Sequence, residues 1–165
     1  MTKRLRQYLG IICAVLSYYI VHEGTHLIVA LCLGTFRRVN FMSLGMQIDV
    51  YADRMTDAQL GFFCLAGALS TFVAAIILVL FSGKVKSIKS KTLKACLYYI
   101  TIIMLILDPV YLSVLCGFFG GGDMNGISLL IPEIFARLIF GALLIINVIV
   151  FIKIILPRYK EAFKE

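Results

Sequence analysis

Four stretches of the chain are almost unbroken in apolar residues, and short polar segments divide them. They cover roughly residues 8–33, 58–82, 95–119 and 134–156. Each reaches the length of about 20 residues that a helix needs to cross the hydrocarbon core of a bilayer. The pattern predicts an all-α membrane protein with about four transmembrane helices. No internal repeat or low-complexity linker interrupts it, so residues 1–165 read as a single domain.

The connection after the first span, residues 34–57, is patterned differently. Residues 36–43 and 46–51 flank a Leu44-Gly45 break, and Met46, Ile48 and Val50 alternate with Gln47, Asp49 and Tyr51. A period of two is that of a half-buried strand. The segment predicts either a short β-hairpin against the membrane surface or an irregular amphipathic loop. A hairpin would offer unpaired backbone groups along its edge to an extended peptide.

Composition narrows the class. Of 165 residues, 61% are hydrophobic and 15% charged, with a mean hydropathy of +0.98. A soluble domain carries about 45–50% apolar and about 25% charged residues, and a small core cannot hide such an apolar excess. A soluble globular protein, a disordered tail and a secreted disulfide scaffold are thereby excluded. The five cysteines lie singly inside apolar runs with no CxxC pair, as small hydrophobes do.

Sixteen basic residues against nine acidic ones give a formal charge of +7. In a soluble protein that excess would suggest nucleic acid. Here Lys3, Arg4 and Arg6 precede the first span, Lys84, Lys86, Lys89, Lys91 and Lys94 fill the second connection, and Lys153, Arg158, Lys160 and Lys164 lie at the end. They punctuate membrane segments and build no aromatic-lined surface, so no nucleic-acid partner is expected. The first connection sums to zero, with Arg37, Arg38 and Arg54 against Asp49, Asp53 and Asp57, whereas the second holds no acid. Because Lys and Arg accumulate on the cytoplasmic side, both termini and the second connection are expected there. The expected location is a bacterial cell membrane, multi-pass. The first apolar run lacks an A-x-A-like cleavage site and does not read as a signal peptide.

The chemistry sits in the later half of the first span, at His22-Glu23-Gly24-Thr25-His26. Residues i and i+4 share a helix face, so two imidazoles one turn apart can grip one metal ion while the neighbouring carboxylate takes a proton from water. This is the H-E-x-x-H pattern of two zinc ligands and a general base. Both histidines of the protein fall in this window, and ionisable groups inside a membrane helix are costly unless paired or functional. Zn2+ is the expected cofactor.

Catalytic zinc usually has three protein ligands, and no third histidine exists. Asp108, Asp123 and Glu133 are the acids available. His22 and His26 lie about 14 to 18 residues into their span and Asp108 about 13 into its own, which puts them at similar depth on straight helices. Asp108 precedes Pro109, and such a pair is expected to break a helix or cap a new one. Asp123 follows Gly120-Gly121-Gly122, a turn able to fold back toward the histidines with Asp123 capping a short helix.

In these features the chain resembles the site-2 protease family of intramembrane zinc metalloproteases. The likeness rests on His22-Glu23-Gly24-Thr25-His26 in a membrane helix, followed by a Gly-containing β-like connection. Leu65-Ala66-Gly67-Ala68-Leu69-Ser70 resembles the family's small-residue A-G-P-hydrophobic-N segment, and Asp123-Met124-Asn125-Gly126 its Asp-x-x-Gly segment. The likeness covers about residues 8 to 130. Ala68 stands where the family has Pro, and the family's Leu-Asp-Gly is missing. By order and by the following glycine, the resemblance favours Asp123 over Asp108 as third zinc ligand beside His22 and His26.

The resemblance implies hydrolysis of a membrane-embedded or membrane-associated protein or peptide within or at the edge of the bilayer. Glu23 would be the general base acting on a zinc-activated water, with Asn125 or Asn40 as donors to the oxyanion. The histidines fall in the outer half of their span, so the site is expected to open toward the outer face. Substrate choice is expected to come from the membrane core, the hairpin or a partner, since the 165 residues hold no sensor or PDZ-like domain. The competing class is a non-catalytic membrane metal-binding protein or pseudoprotease serving as an immunity or chaperone factor.

Overall fold

A computed structural model describes residues 2–42 and 45–164. Helix α1 (Lys3–Cys32) begins at Thr2, whose hydroxyl accepts from the Leu5 N–H, and runs for 30 residues. Two returning bonds tie off its last turn, from Gly34 N–H to Leu31 O and from Thr35 N–H to Ala30 O. Strands β1 (Phe36–Met42) and β2 (Gly45–Val50) follow. Helix α2 (Asp57–Phe81) starts from a reciprocal cap in which Thr56 and Gln59 satisfy each other's backbone N–H groups. Helices α3 (Lys91–Val110), α4 (Asp123–Ile127), α5 (Glu133–Val150) and α6 (Leu156–Lys164) complete the chain.

Four helical stretches are long and apolar enough to cross a membrane: Lys3–Cys32, Asp57–Ser87, Lys91–Phe118 and Glu133–Lys164. They match the four apolar runs but extend beyond them at several ends, where basic and polar turns continue the helix outside the apolar stretch. Helix α1 packs chiefly against α3 and α2, and α5 lies on α3. Outward faces are apolar: Ile20, Leu80 and Ile145 are each more than 60% exposed. Such contiguous apolar faces are tolerable in lipid and unstable in water. The fold is that of an all-α membrane protein with a small hairpin after the first helix.

The hairpin is the ordered alternative of the two expected. β1 and β2 are antiparallel, with Val39 opposite Ile48 and Phe41 opposite Met46, and an irregularity between Phe36 and Arg38. The break expected at Leu44 lies outside the described residues. Ile48 is buried and joins Ala30, Phe63, Met124 and Ile127 in one core. That burial fixes which face of β2 turns inward, because a one-residue slip would send Ile48 to the opposite face. Arg38 and Arg37 reach Asp49 at 3.2 and 3.6 Å on the exposed side, and exposed pairs of this kind stabilise little.

Asp108-Pro109 does not break its helix as expected. α3 continues through Pro109 to Val110 and then loosens into a π turn over Tyr111–Leu115. Proline leaves the carbonyl four residues earlier without its helical donor. That carbonyl, on Leu105, accepts instead from Nδ2 of buried Asn147 on α5, at 2.7 Å. Arg137 Nη1 likewise donates to the Ser113 carbonyl inside the π turn. Side chains of α5 thus keep α3 continuous where its own ladder fails, as irregular backbone at membrane depth requires.

Candidate metal centre

His22 and His26 leave α1 on the same face and are both buried, with ring centroids 4.9 Å apart. That face meets α2 at Gly67. A Cβ built at Gly67 would lie 2.5 Å from His26 Nε2 and 2.7 Å from His22 Nε2. Only glycine gives the imidazole tips room at this approach, so the small-residue segment Leu65–Ser70 has a steric reason at that position. Ser70 Oγ donates to the Val21 carbonyl at 3.2 Å and ties the two helices about one turn along α2 from Gly67. His26 is further held by Phe63, with ring centroids 4.7 Å apart.

Asp123 arrives from the other side. The backbone turns through Gly120, Gly121 and Gly122 with φ of +80°, +85° and +48°, a run of left-handed conformations that residues with a Cβ rarely adopt. Asn125 Nδ2 donates to the Gly120 carbonyl at 3.1 Å and holds the turn shut. Asp123 does not cap α4 as expected. Gly122 occupies the cap position, Asp123 is the first helical residue, and its carboxylate is directed at the histidines.

The result is a triangle of donor atoms. Asp123 Oδ2 lies 3.1 Å from His22 Nε2 and 3.5 Å from His26 Nε2, and the two Nε2 atoms are 3.2 Å apart. His22, His26 and Asp123 form the group of metal-capable side chains found among the described residues. Burial raises the Asp123 pKa, but the hydrogen bonds and charge of His22 and His26 outweigh it and hold the carboxyl below the ordinary range. Asp123 is therefore an anionic donor at neutral pH.

Asp108 occupies a different place. Buried on α3, it faces the opposite edge of the His22 ring, with Oδ1 3.3 Å from Nδ1. Its two oxygens also accept hydrogen bonds from Tyr18 on α1 and Thr71 on α2. Tyr18 stacks on the His22 ring, with centroids 5.1 Å apart. One carboxylate thus links three helices. With the His22 Nδ1 proton given to Asp108, the Nε2 lone pair points into the triangle. The sequence flagged Asp108 only as a rival ligand. It gave no sign of Thr71, while Tyr18 could have been noticed one helical turn before His22.

The donor set fits a metal. A tetrahedral ion with bonds of about 2.0–2.1 Å has ligand–ligand edges of about 3.3 Å, and the three edges here are 3.1, 3.2 and 3.5 Å. Two imidazoles and a carboxylate at such spacing need either protons on the facing nitrogens or a cation among them, and the same three atoms can hold either. A histidine donating its other nitrogen to a carboxylate is also the usual outer arrangement of a metal-binding imidazole. His26 Nδ1, by contrast, is buried with no hydrogen-bond partner among the described residues.

Glu23, between the histidines in sequence, is buried, and its Oε2 accepts from the Ile48 N–H at 3.1 Å. This N–H points away from β1, as alternate residues of an antiparallel pair do. The outer edge of β2 therefore faces the histidine helix at Glu23. Glu133 lies outside the centre and pairs with Arg137 at 2.7 Å. Of the two asparagines expected as oxyanion donors, Asn125 is engaged in the glycine turn and Asn40 pairs with Gln47 in the hairpin. Comparison of the chain with family models, curated proteins and solved structures returned no match.

Proposed function

We propose that the chain is an intramembrane zinc metalloprotease, hydrolysing peptide bonds of a membrane-embedded or membrane-associated protein or peptide. The observation that carries this reading is the convergence of His22, His26 and Asp123 donor atoms at tetrahedral spacing with Glu23 buried beside them. Two imidazoles and one carboxylate with a fourth position left for water is a catalytic zinc set, and the closed Cys-rich pattern of structural zinc is missing from it. Zinc in such a site polarises a carbonyl and makes water acidic near neutral pH.

Glu23 is the proton carrier. It takes a proton from the attacking water and delivers it to the leaving amine. Its hydrogen bond from Ile48 links this role to substrate binding. A substrate strand added to the outer edge of β2 would place its own carbonyl on the Ile48 N–H and release Glu23 for proton transfer. Edge addition also presents an unwound substrate, as hydrolysis of a helical segment requires.

The same Ile48 bond supports a second reading, in which Glu23 is a structural tie and the protein binds metal without catalysis. Glu23→Gln separates the two. Purified in detergent with zinc and given a labelled single-span peptide, the variant is expected to keep about one zinc per chain and to lose cleavage by about a hundredfold or more. Unchanged cleavage overturns the assignment of Glu23. Zinc binding with no hydrolysis by the wild type leaves the non-catalytic reading standing.

A further inference from the structure

The end of the bundle farthest along α1 from the histidines carries a second feature. A cavity of about 470 Å3 opens there between the first turns of α1 and α3 and the last helix, α6. Its rim is cationic, with Lys3 and Arg6 from α1, Lys91 from α3 and Lys160 from α6, and its wall includes Tyr98 and Tyr99. No carboxylate among the described residues lines it. The volume falls in the range of small-ligand sites, about 300–1,000 Å3. Buried Lys94 fixes the wall by donating from Nζ to the Ala162 carbonyl at 2.5 Å, which holds α6 onto α3.

A second space borders the cavity at Tyr99. It is a groove of about 260 Å3 between α1 and α3 whose other residues are all apolar, among them Ile11, Val15, Ile102 and Ile106. From Lys3 to Val15 the helix rises about 18 Å, close to the thickness of one leaflet's hydrocarbon, about 15 Å. A cationic chamber at the bundle end bordering an apolar groove along the spans has the polarity profile of a single phospholipid. A free phosphate ion would use the chamber and leave the groove unexplained. The charge distribution assigns this end to the cytoplasm, where anionic lipids give the leaflet its negative surface potential.

We infer that this composite cavity binds one anionic phospholipid, its phosphate head among Lys3, Arg6, Lys91 and Lys160 and one acyl chain in the groove lined by Ile11, Val15 and Ile106. The site touches α1, α3 and α6 together, so an occupying lipid clamps the helix that carries the histidines to the C-terminal helix.

Native mass spectrometry of the intact protein in an uncharged detergent tests this, with phosphatidylglycerol, phosphatidylcholine of the same chains and inorganic phosphate as separate probes. The expected result is one phosphatidylglycerol bound at about tenfold or more lower concentration than phosphatidylcholine, and no retained phosphate. Replacing Arg6, Lys91 and Lys160 together by Gln is expected to remove the preference, a loss of up to about a hundredfold at about fivefold per cation. Replacing Lys84, Lys86 and Lys89 by Gln, an equal charge loss in the second connection, is expected to leave it intact. Val15→Trp, on a half-exposed groove residue, is expected to weaken phosphatidylglycerol binding with the cations untouched. Equal binding of both lipids, equal losses in the two triple variants, or retention of inorganic phosphate in place of lipid would each overturn the inference.

Discussion

Lys3 and Arg6 open α1, and His22 and His26 lie on it about five turns further along, yet the two regions handle charge in opposite ways. Around His22 the polar atoms are buried and answered by one another: Asp123 on one ring edge, Asp108 on the other, with Tyr18 and Thr71 on Asp108. At the start of α1 the cations line an open chamber with no carboxylate among the described residues facing it. The buried region is preorganised, each group placed by a helix that packing has already fixed. The open one is lined by cations from three helices. Low dielectric accounts for the first arrangement, since an unanswered polar group is costly in the interior.

If the buried region is preorganised for a metal, disturbing its walls should matter more than disturbing its outer partners. The largest effect is expected from Gly67→Ala. The added methyl would lie 2.5 Å from His26 Nε2, so the imidazoles must turn aside or α1 and α2 move apart, a strain of about 1–3 kcal/mol. Zinc affinity, read by competition with a chelating dye, is expected to fall by about a hundredfold, the upper end of that strain at about 1.4 kcal/mol per tenfold, while the helical content stays. Undiminished affinity would mean that the α1–α2 contact does not set the donor geometry.

A smaller effect is expected from Asp108→Asn. The amide keeps the volume but accepts on one side only, so it cannot serve Tyr18, Thr71 and His22 Nδ1 together. Losing such an outer partner costs about 10–100-fold in metal affinity, and the same dye competition reads it. Complete loss of metal in Asp108→Asn, with binding retained in Asp123→Ala, would exchange the roles of the two aspartates and break the picture of inner and outer shells around His22.

Much of this was legible in the chain. The i, i+4 histidines give the position of the candidate centre, because few patterns put two imidazoles and a carboxylate inside an apolar helix. Asp123 was legible through its three preceding glycines, a run that makes sense only where the backbone must reverse. The relation between the two aspartates was not. Asp108 and the histidines were read at similar depth, which is correct. Depth does not say which edge of an imidazole a carboxylate meets, and that is decided by how α1 and α3 rotate against each other. Asp108-Pro109 predicted a helix break for a sound local reason, the missing N–H. The structure overrides it with Asn147, 42 residues away from the carbonyl it serves, a compensation no local window contains. The hairpin was one of two readings of residues 34–57 because its register depends on burying Ile48 against α1 and α2.

The central claim is that two imidazole nitrogens and the Asp123 carboxylate hold one zinc ion. X-ray absorption at the zinc edge on the protein purified without chelator tests it most directly. The account expects about one zinc per chain, a first shell of nitrogen and oxygen only at about 2.0–2.1 Å with the scattering signature of two imidazoles, and loss of that shell in Asp123→Ala. A sulfur shell near 2.3 Å, as Cys64 beside Gly126 would give, or protein free of zinc, would contradict it.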